Sequence, residues 1–152
     1  MMKQKLPEPM IKAFTEARAA AARGEVPVGA VIVDAQGKVL TSFGNRTLEL
    51  KDPTAHAEML AIRAAAQLLA SERLIDCDLY VTLEPCAMCA AAISFARIRR
   101  VYFAAGDEKM GAIENGPRFF NQETCHHAPE VYSGIGETES QTMLRDFFKS
   151  RR

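Results

Sequence analysis

Two apolar rhythms alternate along this chain, one helical and one extended. From Pro9 to Arg23, the side chains of Met10, Ile11, Phe14 and Ala17 recur at roughly helical spacing and the stretch stops at Gly24, which predicts a first helix. "VPVGAVIVD" is then apolar and β-branched, "AQG" is a turn and "KVLTSFGN" is extended again, so residues 26 to 45 read as a hairpin. After the loop "RTLELKDPT", Thr54 is placed to cap a second helix from Ala55 to Ala70, with Met59, Ile62, Ala66 and Leu69 on its apolar face. "DLYVTL" is a third strand. It runs directly into "EPCAMCAAAISFARI", a helix with Pro85 at its first position, where a missing N–H costs nothing. "RRVYFAA" is a fourth strand and "EVYSGI" a short fifth, and "TESQTMLRDFFKSRR" ends the chain as a helix burying Met143, Leu144, Phe147 and Phe148. Residues 106 to 128 show no period, and a loop of that length inside a compact domain is usually functional or mobile. Strands alternating with helices predict a three-layer α/β fold.

Composition narrows this picture. A chain of 152 residues, 48% hydrophobic and 25% charged, reads as one domain over residues 1–152 and excludes a disordered or low-complexity role. Lys+Arg and Asp+Glu are 19 each, so no global field draws in nucleic acid and a polyanion must be met by a local patch. "RIRR" at 97 to 100 and the terminal "KSRR" are such patches, although arginine-rich helix ends equally serve as solvated faces. The N-terminus lacks a signal-peptide core and no stretch is long enough to span a bilayer, which predicts a cytoplasmic protein. In a reducing compartment four cysteines do not make a disulfide framework, so the close pair Cys86 and Cys89 reads as metal-binding or redox-active.

Zinc chemistry suits that pair. A catalytic zinc takes three protein ligands and leaves a fourth position for water. His56, Cys86 and Cys89 make such a set if the helices that carry them lie side by side, and a helix N-terminus favours the thiolate. A carboxylate beside the metal would then move protons, and Glu58 is the nearest. Regular helix geometry argues against the pairing, because residues two apart point about 200° away from each other. Spacing alone therefore leaves His56 and Glu58 unconnected.

"HAE" at 56 to 58 followed by "PCAMC" at 85 to 89 matches the H-x-E and P-C-x-x-C signature of zinc nucleoside deaminases. "EVPVGAVIV", "GNR", "DPTAHAE", "LYVTLEPCAMC", "RIRRVYF" and "DFFKSRR" extend the likeness from about residue 10 to the C-terminus, and over that length the chain resembles the bacterial tRNA-specific adenosine deaminases. The resemblance implies a cytidine deaminase-like α/β/α fold around a mixed five-stranded sheet. It implies one Zn2+ per subunit on His56, Cys86 and Cys89, with Glu58 as the unligated general acid/base. It further implies that Asn45 contacts the substrate nucleoside, that the backbone around Ala57, Glu84 and Pro85 lines the pocket, and that Asp107 touches the nucleotide backbone. Gly106 departs from the family pattern, in which a member carries arginine before that aspartate. The implied reaction is hydrolytic conversion of adenosine to inosine at the wobble position of a tRNA anticodon stem-loop, whose unpaired bases can be splayed out. The implied assembly is a homodimer formed through the small-residue helix "AMCAAAISFARI".

Several side chains carry two readings. Lys109, Lys149, Arg151 and Arg152 are placed to meet RNA phosphates or simply to face solvent. Phe119 and Phe120 either stack on bases or anchor the loop to the core. His126, with Cys125 and His127, is a substrate contact, a surface residue or part of a structural metal site. Cys77 reads as a small buried residue. Two rival functions stay open: deamination of a free base or nucleoside such as cytosine, guanine or cytidine, and a non-catalytic zinc-stabilised RNA-binding module.

Overall fold

The computed structural model describes residues 5–151 and builds an α/β/α sandwich. Helix α1 (Glu8–Ala22) leads into strands β1 (Gly29–Val33) and β2 (Val39–Gly44). Helix α2 (Ala57–Leu69), strand β3 (Asp78–Leu83), helix α3 (Ala87–Phe95) and strand β4 (Arg100–Ala105) follow. A short 3-10 turn at Phe119–Asn121 precedes strand β5 (Glu130–Tyr132) and helix α4 (Glu137–Lys149). The strand order is β2-β1-β3-β4-β5, antiparallel for β1 with both its neighbours and parallel from β3 to β5, which is the mixed five-stranded sheet expected.

Both faces of the sheet are covered, so β1 is buried at every position. Ala30 and Ile32 point to the layer of α2 and α3, where they pack with Ala57, Ala61, Leu79, Val81, Ile93 and Phe103. Val31 and Val33 point the other way, toward Met10, Ala13 and Phe14 of α1. Helix α1 crosses β1 so closely that a Cβ at Gly29 would lie 1.9 Å from the Ala13 carbonyl oxygen, which only glycine permits.

Four local expectations are corrected. Helix α2 is capped by His56 rather than Thr54; Thr54 instead donates both its N–H and its hydroxyl to Asp52 Oδ1, at 2.8 and 2.7 Å. The deepest stripe of α2 is Ala57, Ala61 and Ala65, small residues that let the helix sit close to the sheet, whereas Leu69 is exposed. Pro85 lies one residue before the α3 cap, Cys86, rather than inside the helix. Phe147 is buried on α4 but Phe148 is half exposed, because consecutive helical positions diverge by about 100°.

Candidate active site

The carboxyl end of β3 and the start of α3 meet the start of α2 at one end of the sheet. His56 is extended, with φ −71° and ψ 152°, and Cys86 likewise, with φ −74° and ψ 177°. Each is a cap residue just outside its helix, so its side chain turns away from the helical spiral. His56 Nδ1 then lies 3.7 Å from Cys86 Sγ and 3.6 Å from Cys89 Sγ. All three donor atoms fall within 4.8 Å of one another, the only such cluster among the described residues. Tetrahedral zinc with one nitrogen and one sulfur ligand sets those atoms about 3.6 Å apart, so the donor spacing fits the ion.

Glu58 is 4% exposed and opens onto the same cleft. The helical objection to pairing it with His56 therefore lapses: only Glu58 is in the helix. Burial pushes its carboxyl up to about 7, despite its own backbone N–H, the nearby His56 and the Cys89 thiol. The Cys89 thiol, the His56 ring and the Cys89 backbone N–H hold Cys86 down at about 4. Donation to Cys86 and burial push Cys89 upward, and the Cys86 thiolate raises His56. Together these shifts favour a thiolate at Cys86 beside a thiol at Cys89, whose proton a bound metal would displace.

The cleft has a volume of roughly 230 Å³ and is lined by Asn45, His56, Glu58, Glu84, Cys86 and Asp107, with Val26, Val28, Thr47, Leu83 and Met110. Asn45 Oδ1 accepts the Ala57 N–H at 2.8 Å, satisfying an orphan donor of α2 and fixing the segment that carries His56 and Glu58. Ala57 and Pro85 are buried behind the cleft. Lys109 and Arg151 line an adjoining cleft of roughly 900 Å³ with Leu144 and Phe148, and Val26, Leu83, Asp107 and Met110 belong to both.

Other expected contacts lie elsewhere. Phe119 and Phe120 are half-buried against the main core in an edge-to-face pair, and the Phe119 N–H donates to the Ala112 carbonyl, which favours the loop-anchor reading. His126 is exposed, as is Lys149, and neither lines a cleft described here; Arg152 falls outside the described residues. The "RIRR" patch is largely neutralised: Arg99 grips Asp78 through two bonds of 3.0 and 2.9 Å, and Arg100 reaches Glu130 at 3.2 Å. Cys77 is buried, as expected. Cys125 and Ser94 both donate to the His127 carbonyl, so they tie down the loop and do not join Cys86 and Cys89.

Two buried glutamates that hold the cleft walls have roles not apparent from their local sequence. Glu25 accepts the N–H groups of Leu48 and Glu49 and the Thr47 hydroxyl; these, with Arg23 nearby, outweigh burial and hold its carboxyl below the usual range. Glu84 does the same for residues 107 to 115. The available signal was an acid flanked by apolar residues, in "GEVPV" and "TLEPC".

A three-donor cluster beside a buried carboxyl, at the end of a mixed sheet, defines a hydrolytic metal site of the deaminase kind. The chain belongs to the cytidine and deoxycytidylate deaminase zinc-binding family, whose model matches residues 3–105. It is 61% identical over 140 residues to the tRNA-specific adenosine deaminase of Agrobacterium fabrum, covering 92% of this chain and 91% of that one. It is 46% identical over 144 residues to that of Rickettsia bellii, covering 94% and 99%. A solved structure from studies of A-to-I editing by tRNA:A34 deaminases at the wobble position superposes with a TM-score of 0.88 at 61% identity, covering 90% of this chain and 98% of that one.

Proposed function

We infer that the protein deaminates adenosine to inosine hydrolytically at the wobble position of a tRNA anticodon. The observation that carries this reading is Glu58, a buried carboxyl at the cleft beside three metal donors, where a purely structural metal site has no use for it. The RNA substrate rests on the similarity to tRNA-specific adenosine deaminases over nearly the whole chain.

His56, Cys86 and Cys89 would hold one zinc ion, which when bound supplies a Lewis acid that lowers the pKa of water to about 7. Glu58 takes a proton from the attacking water and passes it to a ring nitrogen of adenine as the C–O bond forms, then carries the hydroxyl proton of that adduct to the amine, so that the C–N bond breaks, ammonia departs and the inosine carbonyl is left. Asn45 and the backbone around Ala57, Glu84 and Pro85 bound the base, and Asp107 meets the nucleotide backbone. Lys109 and Arg151 in the adjoining cleft, and Lys149 and Arg152 near the C-terminus, receive phosphates. Phe119 and Phe120 anchor the loop on the core, and the exposed His126 meets the periphery of the RNA. The chain works in the cytoplasm as a homodimer; α3, which ends in a highly exposed Phe95, supplies the pairing face. A strictly monomeric mass at micromolar concentration would contradict that assembly. No described helix is long and apolar enough to cross a membrane.

The small cleft, sized for one base, also suits a free base or nucleoside. Turnover measured side by side on an anticodon stem-loop, free adenosine, guanine and cytidine separates the readings. The stem-loop is expected to react fastest, with inosine at its wobble position; faster turnover of a free compound overturns the RNA assignment.

A further inference from the structure

We propose that the Glu84 side chain is a positioning residue that holds segment 107–115, one wall of the cleft, in its binding conformation. Glu84 is 3% exposed, yet no lysine or arginine pairs with it among the described residues. Its carboxylate is filled entirely by that segment. Oε1 accepts the Asp107 N–H at 2.9 Å and the Asn115 side-chain amide at 2.7 Å. Oε2 accepts the N–H groups of Ile113, Glu114 and Asn115 at 2.9, 2.8 and 3.1 Å. Five donors on two oxygens is about all a carboxylate can accept.

The segment wraps around the carboxylate as a shell. Asp107 Oδ1 accepts the Lys109 and Met110 N–H groups, the Gly111 N–H returns to the Asp107 carbonyl, and the Ala112 N–H donates to the Pro85 carbonyl. Gly111 has to be glycine, since a Cβ there would lie 2.4 Å from the Asp107 oxygen and 2.5 Å from the Glu84 carboxylate. Asp107 and Met110 face the cleft from this shell, whereas His56, at the α2 cap, and Glu58 and Cys89, on α2 and α3, lie outside it. Without the central carboxylate, four backbone N–H groups lose their acceptor and the wall spreads over many conformations. A site competent in only a fraction of molecules binds more weakly by that fraction, while molecules that do bind react normally.

This inference rests on the deaminase reading only for its kinetic arm. Glu84→Gln puts an amide N–H2 where the segment offers donors, and Gly111→Ala pushes the segment off the carboxylate without altering Glu84. The experiment compares both with wild type by amide hydrogen exchange and by steady-state kinetics on an anticodon stem-loop, normalised to bound zinc. Expected are exchange at Ile113, Glu114 and Asn115 faster by at least about 100-fold, and KM raised by about 10-fold with kcat per zinc within about 3-fold. If either variant fails to fold, Asn115→Ala, which removes one donor, shows the same pattern at smaller amplitude. Unchanged exchange, or a fall in kcat per zinc at constant KM, overturns the proposal. Wild type that makes no inosine contradicts the substrate assignment instead, and the exchange arm still judges the role of Glu84.

Discussion

Glu58 and Glu84 both line one cleft and are almost equally shielded from solvent, 4% and 3% exposed, but Glu58 lies deeper in the protein and their chemistry is opposite. Burial dominates at Glu58, where few donors answer it, and the carboxyl rises to about 7. Burial is also the largest influence on Glu84, but the N–H groups of Asp107, Ile113 and Glu114 and the Asn115 side chain together outweigh it and hold the carboxyl below its usual range. Low exposure alone therefore does not decide whether a carboxylate can trade protons; how deep it lies and how many donors are aimed at it decide together. The glutamate gripped by five donors is a fixture of the wall, and the one with few donors is free to act.

The largest effect on this contrast comes from removing the metal donors. His56→Ala is expected to lose bound zinc and to lower turnover by at least about 10⁴-fold, as read by metal analysis and inosine formation. Retention of stoichiometric zinc would remove His56 from the ligand set.

A smaller effect appears in stability. Because the folded state holds the Glu58 proton above the ordinary value of 4.5, this group costs stability as pH rises from about 4.5 to 7, and the cost stays constant above that. Zinc-free Glu58→Gln should therefore match zinc-free wild type in Tm at pH 4 and exceed it at pH 7.5, by roughly 2–4 °C for each kcal/mol relieved. Glu84→Gln should shift in the opposite direction at pH 7.5, since its donors lose their acceptor. Equal Tm changes for the two variants at pH 7.5 would collapse the distinction.

The smallest effect lies away from both carboxyls. Ala70 ends α2 in the left-handed region, with φ 51° and ψ 44°. Glycine suits that position, so Ala70→Gly should stabilise by about 0.5 kcal/mol after its own chain entropy is subtracted, visible as a rise of about 1–2 °C in Tm with activity unchanged.

Much of the scaffold was legible because its signals are local. Periods in "VPVGAVIVD" and "DLYVTL" mark strands buried on one or both faces, and the alternation of strands with helices sets the layers. The donor set was legible through the pairing of "HAE" with "PCAMC" rather than through geometry. Helix periodicity even pointed the wrong way: it placed His56 inside α2, whereas the helix begins one residue later and the extended His56 swings toward the sulfurs. Boundary shifts of one or two residues are ordinary for helices; here one such residue decides the chemistry. The roles of Glu25 and Glu84 were hidden for a different reason. Their partners lie 22 to 31 residues further along the chain, and no local pattern announces which backbone N–H groups will converge on a buried acid.

The most direct test of the account is mass spectrometry of tRNA incubated with wild type and with Glu58→Gln, alongside zinc analysis of both proteins. The account predicts inosine at the wobble position with wild type, a fall of roughly 10²–10⁴-fold with the variant, and equal zinc in both. Full turnover by Glu58→Gln, or its loss of zinc in step with activity, would contradict the role assigned to this carboxyl.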